Sequence, residues 1–264
     1  MARSVALIVA PFHMGLEGSA VGAGPNALLD AGADRVLGSH GRPAQVEHMR
    51  LRDAECSDLD AVVDIGRQIR HAVRQARNEE LLPVVLAGNC NSAIATLAGL
   101  EPDETGIVWL DAHPDFHVPS TSRSGFLDGM SLAIAVGHCH EDLRGRIGFG
   151  RPVAEDRVCL LGCRDIEDGE RERLAASGIS DQPPSGVEAV YLHIDMDVLD
   201  PAESPGVNFR GPGGWSLERV CATVKSVAAE LPLAAVTLTN YRPDFDPDGK
   251  TAAAALRILA QLTE

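Results

Sequence analysis

Short apolar runs recur along the chain, at residues 5–10, 84–87, 107–110, 158–161, 190–194 and 235–238, and they alternate with longer segments of helical periodicity. The helical patterns cover 58–80, 92–100, 129–136, 169–177, 216–230 and 251–262. A strand that is apolar throughout has no polar face to offer water, so each of these must be covered on both sides. That requirement predicts an α/β fold, a three-layer α/β/α arrangement around a mostly parallel sheet. No repeat, low-complexity tract or Pro/Gly/Ser-rich linker interrupts the pattern, and 264 residues are within reach of one core. Residues 1–264 are therefore expected to form a single domain.

Charge narrows the partners. Against 23 basic side chains stand 38 acidic ones, a net charge of −15 that repels polyanions and excludes nucleic acid as a natural ligand. No apolar run approaches the ~20 residues of a membrane span, and the opening segment lacks the basic start and the length of a signal peptide. A cytoplasmic location is expected. The six cysteines include no C-x-x-C pair, which argues for reduced thiols rather than a zinc or dithiol motif. The run His138-Cys139-His140 reads as a helix end.

In parallel sheets, ligands bind at the carboxyl ends of the strands. Two of those ends carry unusual charge. Run 107–110 leads into Asp111-Ala112-His113-Pro114-Asp115, and run 190–194 leads into Asp195-Met196-Asp197. Alternate residues of an extended segment share a face, so Asp111, His113 and Asp115 can project together, as can Asp195 and Asp197. Carboxylates gathered at the ends of buried strands lose their hydration unless something neutralises them. A divalent cation does this, and oxygen ligands with one or two imidazoles suit manganese or magnesium, with zinc, nickel or iron also accommodated. A helix or turn cap explains a lone D-x-D but not both clusters together, and five ligands on two strand ends look like a two-metal centre.

These motifs resemble those of the arginase, agmatinase and formiminoglutamase ureohydrolases. The family's D-A-H-x-D is matched by Asp111 to Asp115, and its S-x-D-x-D-x-x-D-P by His193 to Pro201, with His193 in place of serine. Arg164 to Glu170 resembles the R-D-x-D-x-G-E loop, and Gly22 to Leu29 the glycine-proline segment near the family's N-terminus. The resemblance implies a sheet of about eight strands holding two Mn²⁺ ions. In that likeness Asp111 and Asp195 bridge the ions, Asp115 binds the first, and His113 and Asp197 bind the second. It also implies a homo-oligomer, a trimer or hexamer.

Departures from the pattern bear on the chemistry. Gly88 to Ser92 stands where the family has G-G-D-H-S, which puts Asn91 at the position of a histidine ligand and implies a weaker first site. Asp128 takes the place of a proton-shuttle histidine, and Asn240 that of the glutamate which holds the guanidinium group. Catalytic work thus falls to Asp128, His113 and Asn240. At the substrate end, His117, Ser124 and Glu167 align with contacts to the amino-acid moiety. Alternatively, His117 is a surface loop residue and Glu167 a helix N-terminal charge.

The expectation is a manganese-dependent hydrolase cleaving a non-peptide C–N bond in a guanidino, amidino or related small molecule, and not an efficient L-arginine arginase. Two alternatives stay open: a catalytically silent metal- or ligand-binding relative, and a one-metal amide hydrolase resembling deacetylases.

Overall fold

A computed structural model describes residues 4–38, 43–100 and 105–263. Its strands are β1 (Val5–Ala10), β2 (Phe12–His13), β3 (Leu16–Glu17), β4 (Gln45–His48), β5 (Leu82–Ala87), β6 (Thr105–Leu110), β7 (Val158–Leu161), β8 (Ala189–Asp195) and β9 (Leu233–Thr239). Seven of them form one sheet in the order β4-β1-β5-β9-β8-β6-β7, and every pairing in it is parallel. β2 and β3 make a separate antiparallel pair.

Side chains along the strands alternate between two cores, except at the irregular start of β9, where Ala234 and Ala235 enter the same one. Ile8, Val85, Ile107, Trp109 and Tyr191 enter the layer formed with helices Asp58–Asn78, Ser92–Ala98, Ser131–Ala135 and Glu141–Ile147. Leu7, Val84, Val108, Leu192 and Ile194 enter the opposite layer, with helices Gly24–Asp30, Leu217–Glu230 and Lys250–Ala260. Strand periodicity of two thus delivers one three-layer α/β/α body, as the uniformly apolar runs require. The longest helices begin where a serine can take an orphan backbone N–H: Ser57 accepts from Asp60 and Ser216 from Arg219.

The sequence reading does not anticipate β4, helix Ala33–Val36 or helix Glu141–Ile147. β4 is an edge strand with exposed side chains throughout, so it carries no apolar run to mark it. What positions the site is strand order. β5, β9, β8 and β6 are neighbours, so the chain segments leaving them, at Gly88, Asn240, Met196 and Asp111, open side by side on one edge.

Candidate metal centre

A cavity of about 590 Å³ opens along that edge, with Cys90, Asp111, His113, Asp115, Asp195, Asp197 and Asn240 in its walls. Trp109 and Asp111 share a face of β6, and its indole Nε1 donates to Asp111 Oδ2 at 3.1 Å. Asp111 Oδ1 accepts the backbone N–H of His113 at 2.8 Å, closing a tight turn as the strand ends. From β8, Asp195 Oδ1 accepts the N–H of Asp197 at 2.7 Å, while Asp197 Oδ1 accepts the N–H of Ala112 at 3.1 Å. These bonds tie the two acidic segments to each other. His113 Nδ1 then stands 3.2 Å from Asp197 Oδ2 and 3.4 Å from Asp111 Oδ1.

Asp115 is held differently. Its backbone is left-handed, at φ 48°, a conformation aspartate tolerates better than most residues. Its carbonyl accepts the N–H groups of Leu132 and Ala133 at 3.0 and 3.2 Å, at the start of helix Ser131–Ala135. The excursion between them is tied once more by the N–H of His117 donating to the Gly129 carbonyl at 3.0 Å. Asp115 Oδ2 is buried and has no hydrogen-bond partner.

The electrostatics are those of a site short of positive charge. Burial, and then the Asp195 charge, push the Asp111 carboxyl up to about 6. Burial and neighbouring carboxylates raise Asp115 and Asp195 well above the ordinary range, and raise Asp197 as well. Burial opposes the charged form of His113, but bonds to Asp111 and Asp197 overcome it and push the imidazole up to about 12. Four buried carboxylates face one imidazolium, and the unpartnered Asp115 oxygen has lost its water without compensation. The residues therefore fit divalent cations. Among the described residues, two donor groups have their ligand atoms within 4.8 Å of one another: Asp111 with His113 and Asp197, and Cys90 with Asp111 and His193. Asp111 belongs to both.

Asn91, expected among the ligands, is placed elsewhere. Past β5 the chain turns over residues 88–91, with Asn91 already helical, so that Asn89 and Asn91 reach Asp128 while Cys90 reaches Asp195. The Asn91 amide donates to Asp128 Oδ1 at 2.9 Å and approaches the Met14 sulfur at 3.4 Å. Cys90 Sγ instead donates to Asp195 Oδ2 at 3.0 Å. Only glycine fits the start of this segment, since a Cβ on Gly88 would lie 2.3 Å from the Phe12 carbonyl oxygen. Period-two counting from Val85 and Ala87 leads to Asn89 and Asn91; Cys90 joins the side of Val85 and Ala87 only because the chain turns after β5.

Asp128 sits in the cavity wall with Asn89 and Asn91 donating to its two oxygens; burial raises its pKa while those bonds oppose the rise. Asn240, at φ 66°, donates through Nδ2 to Asp195 Oδ1 at 2.9 Å and to Asp197 Oδ2 at 3.0 Å, and its Oδ1 accepts the Asn208 N–H at 3.0 Å. At the cavity mouth, His117 is buried, not a surface residue. Its Nε2 lies 3.6 Å from Glu167 and 3.4 Å from Glu170, while Nδ1 meets Thr121 Oγ1 at 3.1 Å. Glu167 lines the cavity and also caps helix Asp168–Ala175 in a capping box with Glu170, so both readings of it hold geometrically. Ser124 lines the cavity too, its Oγ accepting the Phe126 N–H at 3.1 Å. Sequence reasoning gave no role to Phe209, whose ring meets His113 edge-on at 6.0 Å, nor to buried Glu170.

A model of the arginase family matches residues 3–263. The chain is similar to the arginase of Bacillus subtilis (strain 168), at 26% identity over 290 residues covering 99% of this chain and 98% of that protein. It is also similar to an N(omega)-hydroxy-L-arginine amidinohydrolase of Streptomyces lavendulae, at 29% identity over 216 residues covering 75% of this chain and 76% of that one. The native structure of arginase from Bacillus caldovelox superimposes with a TM-score of 0.90 at 25% identity, over 99% of this chain and 98% of the other.

Proposed function

The chain belongs to the arginase family, and on that footing we propose that it is a manganese-dependent hydrolase of a small amidino, hydroxyguanidino, formimino or amide compound and a poor arginase. Asp111, Asp115, Asp195, Asp197 and His113 would hold the metal. Two divalent ions, at least one of them manganese, would supply a strong nucleophile from water at neutral pH and polarise the carbon under attack. The remaining work belongs to the chain.

Hydrolysis adds water to the amidino carbon, breaks its bond to the amine nitrogen and requires a proton on that leaving nitrogen. Asp128 is the wall residue suited to carry it, since burial lifts its proton affinity while Asn89 and Asn91 fix its orientation. His117, backed by Glu170, stands nearer the mouth and suits contact with the distal end of a substrate.

One observation carries the choice of substrate: the Asn240 amide is turned, donors first, onto Asp195 and Asp197. A guanidinium ion is then offered an amide where a carboxylate would have paired with its charge, and a charge-assisted bond is lost. A reacting group of lower basicity loses less. The relative named for a hydroxyarginine substrate supports that range. The test is a panel of L-arginine, N-hydroxy-L-arginine, agmatine and formimino and amide compounds, assayed with Mn²⁺. Turnover of L-arginine at kcat/KM of ~10⁴ M⁻¹s⁻¹ or above overturns the substrate assignment. Absence of turnover across the panel in a metal-loaded protein overturns the hydrolase reading and favours a silent relative.

Among the described residues no helix is long and apolar enough to cross a membrane. A cytoplasmic location and a trimeric or hexameric assembly complete the proposal, the latter open to light scattering on the purified protein.

A further inference from the structure

Two buried side chains, His193 and the wall residue Cys90, have no part in the scheme above. His193 is completely buried on β8, its ring stacked on Trp109 with centroids 3.7 Å apart and planes 18° off parallel. Its Nδ1 lies 3.1 Å from the Tyr191 hydroxyl, and its Nε2 has no partner at all. Cys90 is the second. Its sulfur, also buried, bonds Asp195 Oδ2 at 3.0 Å and lies 3.5 Å from Thr239 Oγ1. Cys90, a ring nitrogen of His193 and a carboxylate oxygen of Asp111 all lie within 4.8 Å of one another.

An imidazole stripped of water with one nitrogen satisfied and the other empty is an anomaly in a folded interior. It is ordinary in a metal site, where the ligating histidine uses its second nitrogen to bond a fixed neighbour. Tyr191 is such a neighbour here, and the Trp109 face sets the ring plane.

We propose that Cys90 Sγ, His193 and Asp111 form a thiophilic metal position that takes a zinc-like divalent ion, next to the harder His113–Asp197 position that takes manganese. The inference rests on the metal-dependent reading above and deepens it. Thiolate and imidazole donors favour zinc over manganese, whereas two carboxylates with one imidazole suit the harder ion. Asp111, common to both donor groups, joins the two positions. On binding, the Cys90 S–H bond breaks, its proton leaves to solvent and the sulfur lone pair forms the bond to the ion. No electron is transferred.

The experiment strips the full-length protein of metal and titrates it separately with Co²⁺, Zn²⁺ and Mn²⁺, using Co²⁺ as the spectroscopic stand-in for zinc. Thiolate ligation gives intense near-ultraviolet sulfur-to-cobalt charge-transfer absorption. The expected result is that band in the wild type and in Cys163→Ser, its loss in Cys90→Ser, and zinc binding at least tenfold weaker in both Cys90→Ser and His193→Gln. Circular dichroism confirms that the variants are folded, and Mn²⁺ uptake followed by paramagnetic resonance reports the other position independently. Manganese uptake together with bound cobalt that shows no charge-transfer band overturns this proposal and leaves the hydrolase reading standing. So does a band that survives in folded Cys90→Ser. Failure of the wild type to bind any of the three ions overturns the metal-dependent reading itself.

Discussion

Asn91 holds one oxygen of Asp128 twice, through its backbone N–H at 3.1 Å and its side-chain amide at 2.9 Å. The residue is thus a clamp on the wall of the cavity, not a donor to its floor. Asn91→Ala keeps the backbone bond and removes the amide. Metal content should be unchanged and kcat should fall, with the pH profile displaced because Asp128 loses a bond that lowers its pKa. A lost bond of this kind costs about 1–3 kcal/mol at most. Elemental analysis beside a pH-rate profile decides the matter, and a loss of bound metal would return Asn91 to the ligand set.

Asp111→Ala and Asp195→Ala should each abolish stable metal binding. Asp111 is common to both donor groups, and Asp195 ties Cys90 to Asp197. Full metal content in either purified variant contradicts the bridging roles proposed for them.

Asn240→Asp nearly preserves size but replaces the amide donor with an oxygen facing Asp195 and Asp197. Two bonds to charged acceptors become like-charge contacts, so the metal-free protein should lose about 2–3 kcal/mol and its Tm should drop by roughly 5–10 °C. Added Mn²⁺ should recover more stability in the variant than in the wild type, because the extra charge increases the demand for a cation. Equal metal-induced shifts of Tm would count against the placement of that amide.

Metal-free protein should be less stable at about pH 8 than at about pH 5. Asp111 holds its proton more tightly when folded, at about 6 against an ordinary 3.8. Its contribution is complete below 3.8 and is lost as the pH rises through 6. His113 acts with the same sign, its contribution complete below 6.5 and lost towards about 12. Saturating Mn²⁺ should flatten or reverse the trend, since a cation replaces the protons. Thermal melts across that range, with and without metal, measure it; rising stability of the stripped protein with pH would refute the account.

Apolarity alone marks β1 and β7 at the bounds read from sequence, and it marks the central strands with ends short by one or two residues. Those ends were hidden where polar or small residues such as Thr105, Ala189 and Thr239 join the ladder. β4 was invisible because an exposed edge strand need not be apolar. At the site, the D-A-H-x-D and D-x-D spacings led directly to a real cluster, for the simple reason that alternation along a strand is a strong geometric constraint. That rule gives no guide to Asn91, because residues 88–91 turn instead of staying extended, and the turn sets Asn91 against Asp128 and Cys90 against Asp195. His193 could not have been valued from sequence, because its meaning lies in an unpaired nitrogen that only the packing of Trp109 and Tyr191 reveals.

The left-handed turn at Asp115, with its carbonyl returned to the helix that follows, makes the intervening stretch an Ω-loop whose base is pinned at Asp115 and closed between His117 and Gly129, with Asp128 beside that closure and Ser124 farther out. On the proposed metal-dependent reading, retention of an ion and choice of substrate become separable traits. Sequence in the outer stretch around Ser124 can be exchanged without moving Asp115 or Asp128, so new specificities can evolve, or be grafted, as a cassette on an unaltered base.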